Sequence, residues 1–319
     1  MLAIFSTPKA FRGHIAVIQR NALESWKRLH ADVQVILFGK DEGTAEVCQE
    51  LGLQHEAEVE RSRLGLCRVD AMFKRAEELS KFDVLCYANC DIVLTRDFVG
   101  ALQRVLKWRS EFLMVGRRWD TDITERIDFS AGEWQERIVE RAKKEGIQRF
   151  FHNIDYFAFT QGLYQEIPGL VVGRVWWDHW MMWNALARKK AVVDASETVC
   201  AVHQNHDYGH VAEGWKSVSS DEDAQRNYEL AGGKKHLRTI EDATFRLTRK
   251  GVETNRFHWL APAKRRWRDV KRKVGGVWRT RVWHPLMDAT RPLRHAVGLD
   301  KGALPGSLRK GERRHGMDQ

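Results

Sequence analysis

The chain has 319 residues, of which 43% are hydrophobic, enough for a packed core in one large or two modest domains. No apolar run approaches the roughly 18 residues that cross a membrane, so no membrane-spanning helix is predicted. The first residues are typical of a buried strand and not of a signal peptide, because they lack a basic leader and a long apolar core. The five cysteines form no CxxC pair, which predicts reduced thiols in a cytoplasmic protein and argues against a disulfide framework or a zinc site.

The net charge of +10 is unevenly distributed along the chain. Residues 234–319 contain 23 Lys and Arg against 8 Asp and Glu, a net charge of +15, which leaves −5 for residues 1–233. We therefore predict a globular domain at 1–233 and a basic helical tail at 234–319 with a flexible end. A slightly acidic body with a strongly basic tail indicates that the tail faces an anionic membrane or a nucleic acid.

Alternating strand and helix patterns predict three βαβ units before residue 115, and therefore an α/β fold with a mostly parallel open sheet flanked by helices. After Gly116 the pattern loosens, and the basic remainder of the chain is predicted to be helical, including residues 241–247. The predicted strands are 2–5, 33–38, 54–55, 82–87, 112–115, 154–159, 191–195 and 199–202. The predicted helices are 15–29, 44–51, 69–79, 98–106, 134–144 and a segment from about 174 to 188.

Two oxygen-bearing side chains, Asn89 and Asp91, follow the strand predicted at 82–87. On extended backbone, residues two apart point the same way, so both oxygens would lie together at the carboxyl end of that strand. Open α/β sheets bind their ligands at this edge, and hard oxygen ligands suit Mg²⁺ or Mn²⁺. The alternative is that Asp91 begins a turn and Asn89 closes the strand.

Other polar residues near predicted strand ends or helix starts could converge on the same crevice, namely Asp41, Asp178 and His203. Each also has a structural interpretation. Asp178 could cap the helix that begins near it, and His203 could belong to a surface cluster with His206 and His210.

With these motifs in this order, the first 210 residues resemble the GT-A glycosyltransferases, in particular the bacterial family-2 type, which use nucleotide-sugar donors. Ser6-Thr7-Pro8, after the first strand, is similar to the segment that contacts the nucleotide base. Asp41 matches the acidic residue that binds base or ribose. Gly65 with Arg68-Val69-Asp70 resembles the segment that leads into the helix before the metal-binding strand.

The same resemblance implies the chemical centre. Asn89-Cys90-Asp91 matches the DXD motif, with a neutral amide in its first position, and His203 stands where many members have a last metal ligand. Asp91 and His203 are therefore the expected ligands of a divalent cation, Mn²⁺ or Mg²⁺. Trp176-Trp177-Asp178 resembles the motif of the catalytic base, although the usual Glu-Asp pair is missing.

The resemblance predicts that residues 1–233 form a nucleotide-sugar-binding catalytic domain. It would transfer a sugar from a UDP- or GDP-linked donor to a hydroxyl of a glycan or lipid-linked acceptor. Asp178 would remove the hydroxyl proton, which leads to inversion at the anomeric carbon. Arg63 or Arg68 could bind the phosphates, although each arginine taken singly is more typical of a solvated surface residue.

Two further residues are candidates for substrate contacts. Asp155 lies in an apolar strand pattern, where a carboxylate needs a partner, so it binds either substrate or a structural hydrogen-bond donor. Trp177 is a candidate for stacking on a sugar. Trp176, Trp180 and Trp183 have the spacing of a core stripe on a helix.

The tail has three interpretations. Trp267, Val270, Val274 and Trp278 would form the apolar stripe of a helix whose opposite face is basic, which is typical of peripheral binding to the inner face of a membrane. Nucleic-acid binding fits the charge alone and has no recognition motif, and disorder fits residues 301–319. The alternative functions are a nucleotidyltransferase, which would need a Gly-rich loop after the first strand, and a nucleic-acid-binding or scaffold protein.

Overall fold

The computed structural model describes residues 1–206, 215–264, 266, 267 and 270, without the side chains of 215–217. The chain divides into two compact units, Met1–Trp259 and Leu260–Gln319. No helix among the described residues has the length and apolar character needed to cross a membrane.

The strands and helices of the first unit alternate as predicted over its first half. The strands are β1 (Leu2–Ser6), β2 (Val33–Phe38), β3 (Gln54–Glu56), β4 (Val84–Ala88), β5 (Ile92–Val93), β6 (Phe112–Val115), β7 (Arg118–Thr121), β8 (Ile147–Gln148), β9 (Tyr156–Thr160), β10 (Ala191–Asp194), β11 (Ala201–Gln204), β12 (Phe245–Thr248) and β13 (Gly251–Thr254). The α-helices are α1 (Gly13–Lys27), α2 (Thr44–Leu51), α3 (Val69–Leu79), α4 (Arg96–Trp108), α5 (Trp134–Glu145), α6 (Trp177–Ala187), α7 (Trp215–Ser220) and α8 (Glu222–Leu230). Short 3₁₀ helices occupy Gly233–His236, Ile240–Asp242 and His258–Leu260.

Nine strands form the main sheet in the order β13-β12-β10-β6-β9-β4-β1-β2-β3. All of them run parallel except β9 and the edge strand β13. This confirms the predicted α/β class with a mostly parallel open sheet flanked by helices. Because β9 is antiparallel to β4, the residue that precedes β9 lies at the carboxyl edge of the parallel strands.

The main sheet is buried on both faces, as parallel sheets with helical connections usually are. Successive residues of β4 illustrate this: Cys86 belongs to one apolar core and Tyr87 to the core on the opposite face. In the second core, Phe73 of α3 stacks on Phe159 of β9 with ring centroids 5.5 Å apart.

A second sheet, in the order β5-β11-β7-β8, determines which polar side chains meet. His203 of β11 pairs in register with Ile92 of β5 on one side and with Asp120 of β7 on the other. Asp91 immediately precedes β5. The register therefore brings Asp91 and Asp120, which are distant in sequence, next to the same histidine.

The predicted domain boundary and the predicted helix at 241–247 differ from the structure. The first compact unit ends at Trp259 and not at residue 233, because β12 pairs with β10 and β13 pairs with β12. Leu247 of β12 is completely buried in the core. Residues 241–247 thus form the end of a 3₁₀ turn and most of β12. Of the predicted apolar stripe on the tail helix, Trp267 and Val270 are described, and Val274, Trp278 and residues 301–319 lie outside the described residues.

Candidate active site

The candidate residues collect at the carboxyl edge of the main sheet, as expected for an open α/β fold. Ser6 ends β1, and the segments after β2, β4 and β6 contribute Asp41, Asp91 and Asp120. Asp155 reaches the same edge because it precedes the antiparallel strand β9.

A carboxylate and two imidazoles form the centre of this edge. Oδ2 of Asp91 lies 3.2 Å from Nε2 of His206 and 3.8 Å from Nε2 of His203. One potential ligand atom from each of the three residues lies within 4.8 Å of the other two. The two side chains that the sequence predicts to meet, Asp91 and His203, therefore lie together, and His206 joins them.

The electrostatics of this cluster favour the ionised carboxylate. Burial works to raise the pKa of Asp91, but the neighbouring His203, His206 and Lys9 outweigh it and hold the pKa well below the usual range. Burial lowers the pKa of Lys9 itself, with the charge of Asp91 acting in the opposite direction. Oδ1 of Asp91 is buried and has no hydrogen-bond partner among the described residues.

A second carboxylate lies behind His203. Oδ1 of Asp120 is 3.3 Å from Nδ1 of His203, on the far side of the ring from Asp91. Arg118 donates to the same oxygen of Asp120 at 2.8 Å, and Arg149 donates to the other oxygen at 2.5 Å. A proton on Nδ1 of His203 would point toward this carboxylate and would leave the lone pair of Nε2 facing the cluster, as in many metal-binding histidines.

Asn89 does not point with Asp91, contrary to the prediction. The backbone N–H of Ile92 donates to the carbonyl of Asn89, so the chain turns here and is not extended. The amide of Asn89 accepts from the hydroxyl of Tyr87 at 2.8 Å and donates to Oδ1 of Asp155 at 2.7 Å. The alternative interpretation of this stretch, a turn that includes Asp91, describes the backbone correctly.

Asp155 is the link between the cluster and a second group of polar residues. It is only 6% exposed and accepts from both Asn89 and Arg118 through Oδ1. Its Oδ2 is buried and has no hydrogen-bond partner among the described residues. A buried carboxylate oxygen of this kind could accept a hydroxyl or N–H group of a ligand.

Asp178 lies in the first turn of α6, whose N-cap residue is Trp176, so it is not itself the cap. Burial raises the pKa of Asp178, nearby Asp155 adds to that effect, and His179 only partly offsets it. Trp176 has a left-handed φ of +87°, a conformation that costs a non-glycine residue on the order of 1–3 kcal/mol and that often occurs at functional sites.

Trp177 is a core residue, which corrects its predicted role as a sugar platform. Its side chain is buried at 5% exposure between Tyr87 and Phe157, with ring centroids 5.0 and 5.5 Å away. In the predicted core stripe, Trp180 is buried, whereas Trp176 and Trp183 are half-buried.

The segment predicted to contact a nucleotide follows β1. Ser6 and Pro8 are buried, and the hydroxyl of Thr7 lies 3.2 Å from the thiol of Cys67. Asp41 is half-buried and accepts a hydrogen bond from Arg61 at 2.9 Å.

The arginines predicted to bind phosphate are paired with carboxylates instead. Arg63 is 90% exposed and faces Glu222 at 3.7 Å. Arg68 donates to both oxygens of Asp70 and, at 2.6 Å, to Glu60. Arg68 and Asp70 thus engage each other, whereas the exposed pair of Arg63 is a weak one.

Three residues that the sequence did not single out are part of the site. Lys9 follows Ser6-Thr7-Pro8 directly and could have been found by its position. His206 follows His203 at a spacing of three, a proximity that in sequence is equally typical of a surface cluster. Asp120 could not have been found, because its contact with His203 depends on strand register.

No family model and no curated protein matches the sequence. Solved structures do match. A fragment of S. aureus TarS in complex with UDP-GlcNAc has a TM-score of 0.48 and 10% identity, over 72% of this chain and 65% of that one. Glucosyl-3-phosphoglycerate synthase from Mycobacterium tuberculosis, in complex with Mn²⁺, UDP-glucose and phosphoglyceric acid, has a TM-score of 0.46 and 13% identity, over 73% of this chain and 80% of that one. The chain thus spans less than two thirds of the TarS fragment. Because these TM-scores are below 0.5, the similarities carry no argument about function. A functional proposal has to be argued from this chain's own residues.

Proposed function

We propose that the protein is a metal-dependent glycosyltransferase, which moves a sugar from a nucleoside-diphosphate donor to a hydroxyl group of an acceptor. The observation that supports this most is the pairing of two unlike groups at one sheet edge. One is a cation-type ligand set around Asp91. The other is the half-buried Asp178 in the first turn of α6, whose pKa is raised by burial and by the nearby Asp155.

The donor atoms of the cluster fit a divalent cation. Asp91 offers a buried carboxylate oxygen without a described partner, and His203 offers its Nε2 atom, while its Nδ1 atom faces Asp120 at 3.3 Å. A cation bound by these residues would supply positive charge that offsets the negative charge of the departing nucleoside diphosphate. Lys9 adds a second positive charge beside Asp91, and we assign it the phosphate contact that the sequence suggested for Arg63 or Arg68.

Asp178 is the proposed general base. A carboxyl group whose pKa is raised by burial accepts a proton more strongly near neutral pH than an ordinary aspartate does. It would take the proton of the acceptor hydroxyl as that oxygen attacks the anomeric carbon from the side opposite the leaving group, so the transfer inverts the configuration. Asp155, with one buried oxygen unengaged by the described residues, would accept a hydroxyl of the sugar or acceptor.

The donor's nucleoside is proposed to bind at the ends of β1 and β2. Ser6, Thr7 and Pro8 would line the base, and Asp41 would accept a hydroxyl of the ribose or an N–H of the base. Because Arg61 already donates to Asp41, one carboxylate oxygen is fixed and the carboxylate is oriented. The nucleotide is proposed to be UDP or GDP.

Calorimetric titration of nucleoside diphosphates with and without Mn²⁺ tests the proposal. We expect Mn²⁺-dependent binding of one of them, its loss in Asp91→Ala, and its retention in Asp128→Ala, a change at an exposed carboxylate. Absence of metal-dependent binding by the unaltered protein would contradict the proposal. In turnover with a donor, release of the nucleoside diphosphate supports sugar transfer, whereas release of pyrophosphate would indicate nucleotidyl transfer.

A further proposal concerns where the enzyme works. Four large apolar residues of the basic region 234–319 are exposed, namely Phe257 (64%), Trp259 (66%), Trp267 (61%) and Val270 (45%). Together with the net charge of +15 on residues 234–319, they favour peripheral binding to an anionic membrane at its cytoplasmic face, where a lipid-linked acceptor would be available. Co-sedimentation with phosphatidylserine vesicles should be lost at high salt and weakened by Phe257→Ser with Trp259→Ser. Equal binding to neutral vesicles would contradict an electrostatic contribution.

A further inference from the structure

One arginine at the carboxyl edge of the main sheet has a charge that no described carboxylate neutralises. Arg117 lies between β6 and β7 and forms no ion pair among the described residues. Its neighbours Arg118 and Arg149, in contrast, are both paired with Asp120, and Arg118 is also paired with Asp155. Two aspartates therefore face these two arginines, and the guanidinium of Arg117 is a surplus positive charge.

Backbone groups and an aromatic ring hold this guanidinium in one orientation. Nε of Arg117 donates to the carbonyl of Arg149 at 2.5 Å, and Nη2 donates to the carbonyl of Gln148 at 3.4 Å. The central carbon of the guanidinium lies 4.8 Å from the ring centroid of Phe151. Nη1 has no partner among the described residues. The Nη1 and Nη2 pair is thus left to donate to a carboxylate or phosphate in a fork.

Burial makes the missing counter-ion costly. Arg117 is half-buried, and burial lowers the pKa of its guanidinium. Asp194 acts in the opposite direction, but its Oδ1 already accepts from the N–H and the hydroxyl of Ser196, and burial raises the pKa of Asp194. A cation that is partly removed from water usually has an anionic partner. An anionic group of a ligand would supply that partner.

The order of the strands indicates which substrate would carry this group. From β2 the main sheet runs through β1, β4 and β9 to β6. The proposed nucleoside contacts follow β1 and β2, and the cation ligand Asp91 follows β4. Neighbouring strands are about 4.8 Å apart, so Arg117, after β6, lies roughly three strand spacings or about 14 Å from the end of β1. It is therefore beyond the cation centre, on the side away from the nucleoside.

The loop between β8 and β9 connects Arg117 with the proposed general base. The ring of Phe151 packs against the guanidinium, and the carbonyl of the next residue, His152, lies 3.1 Å from Nε2 of His179. His179 directly follows Asp178 in the first turn of α6. Arg117 thus belongs to the side of the site where Asp178 is proposed to receive the acceptor hydroxyl.

From this placement we infer that Arg117 binds an anionic group, a carboxylate or a phosphate, of the acceptor. The inference rests on the proposed function, because it specifies the class of acceptor used at the same site. It predicts that a neutral molecule with the same hydroxyl groups binds more weakly than a charged one.

Three probes with similar hydroxyl groups and different charge test the inference: glycerol, glycerate and glycerol 3-phosphate. Calorimetry measures their binding to the full chain, first alone and then with Mn²⁺ and saturating UDP or GDP, which blocks the phosphate contacts of the donor. We expect one anionic probe to bind at least about tenfold more tightly than glycerol in both titrations, as hydrogen bonds to charged groups allow. Glycerate and glycerol 3-phosphate separate a carboxylate from a phosphate.

Arg117→Gln removes the charge and should weaken binding of the anionic probe about tenfold or more, with glycerol and nucleotide affinity within about twofold. Arg109→Gln is the matched control and should change none of these affinities. Arg109 also lies 4.8 Å from an aromatic centroid, that of Trp108, but it precedes β6 and so lies at the opposite edge of the sheet. Arg117→Lys keeps the charge without the fork and should bind the anionic probe with intermediate affinity. Thermal unfolding reports whether each variant is folded, and if Arg117→Gln is not, Arg117→Lys decides in its place.

The outcomes distinguish this inference from the proposed function. Equal affinity of the unaltered protein for the three probes overturns the inference, and so does an unchanged preference for the anionic probe in the deciding Arg117 variant. If that variant loses nucleotide affinity to the same extent, Arg117 serves the donor and the inference is likewise overturned. In each case, metal-dependent nucleotide binding that requires Asp91 would still support a glycosyltransferase. If an anionic probe binds through Arg117 but no nucleoside diphosphate binds, the anion site is upheld and the proposed function is contradicted.

Discussion

At the scale of single residues, Asp178 opposes folding in the ionised form that the proposed chemistry requires. Its pKa in the folded protein is raised by burial, so between the ordinary value for aspartate and that raised value the folded chain binds more protons than the unfolded one. Protonated Asp178 is therefore compatible with the fold at low pH, and the free energy of unfolding decreases as pH rises through this interval. At neutral pH this loss of stability is complete.

Asp178→Asn should consequently stabilise the protein at neutral pH while it removes the proposed general base. We expect a higher melting temperature at pH 7, no difference at a pH below the ordinary aspartate value, and a turnover reduced by roughly 10²–10⁴-fold. Thermal unfolding across pH and sugar-transfer kinetics measure the two effects. Asp128→Asn is the control. Hydrogen bonds from Ser130 lower the pKa of Asp128, so this variant should lower the melting temperature at pH 7 and not raise it. Near-normal turnover of Asp178→Asn would eliminate Asp178 as base.

We propose that Asp120 positions His203, a role that can be tested separately from metal ligation. Replacing it by asparagine removes the charge that faces Nδ1 of His203 while it keeps the shape of the side chain. We expect Asp120→Asn to weaken Mn²⁺ binding by about 10–100-fold, the range typical of groups behind metal ligands. Unchanged Mn²⁺ affinity, with the fold intact by circular dichroism, would show that Asp120 serves only its arginine partners.

Residue identity within a motif was more predictable than side-chain direction. Asp91, His203 and Asp178 could be selected because strand ends and helix starts are visible in the sequence. The separation of Asn89 from Asp91 could not be foreseen, since it results from a turn stabilised by the Ile92-to-Asn89 hydrogen bond. Strand register likewise determines the contact between Asp120 and His203.

At the scale of elements, the short apolar strands and amphipathic helices before residue 115 are largely predictable. The predicted 33–38, 44–51, 69–79 and 112–115 coincide with β2, α2, α3 and β6. Each has a clear period of two or 3.6 and a clear end, such as the left-handed Gly52 after α2. The segment at 241–247 has no such signal, and its strand portion is defined by pairing with β10, which is distant in sequence.

The first residue of helix α6, Trp177, packs against Tyr87 of β4 and Phe157 of β9 and so holds the helix on the sheet. Trp177→Ala should destabilise the protein by about 3–5 kcal/mol, the cost of emptying a large buried site, and Trp177→Phe by clearly less. Denaturant unfolding measures both variants. Mn²⁺ and nucleotide affinity should be unchanged in Trp177→Phe. A large loss of donor affinity without loss of stability would instead restore the interpretation of Trp177 as a sugar platform.

At the scale of the whole molecule, the sheet extends beyond the boundary that charge distribution suggests. The basic residues begin near residue 234, but Phe245 of β12 packs on Trp108 at 4.7 Å and Leu247 is completely buried. Charge is a property of the surface and reports poorly on where a core ends. The limits of a domain are set by buried strands, and β12 lies inside the basic region.

Two shortened chains test this boundary directly. A chain that ends at Trp259 retains all nine strands of the main sheet, so it should unfold in one cooperative transition and keep its Mn²⁺-dependent nucleotide binding. A chain that ends at residue 233 lacks β12 and β13 and exposes the edge of β10. Loss of the buried Leu247 side chain alone costs about 2–5 kcal/mol, so the melting temperature should fall by roughly 4–20 °C. Equal melting temperatures and nucleotide affinities for the two chains would show that the catalytic domain ends at 233, as the charge pattern suggests.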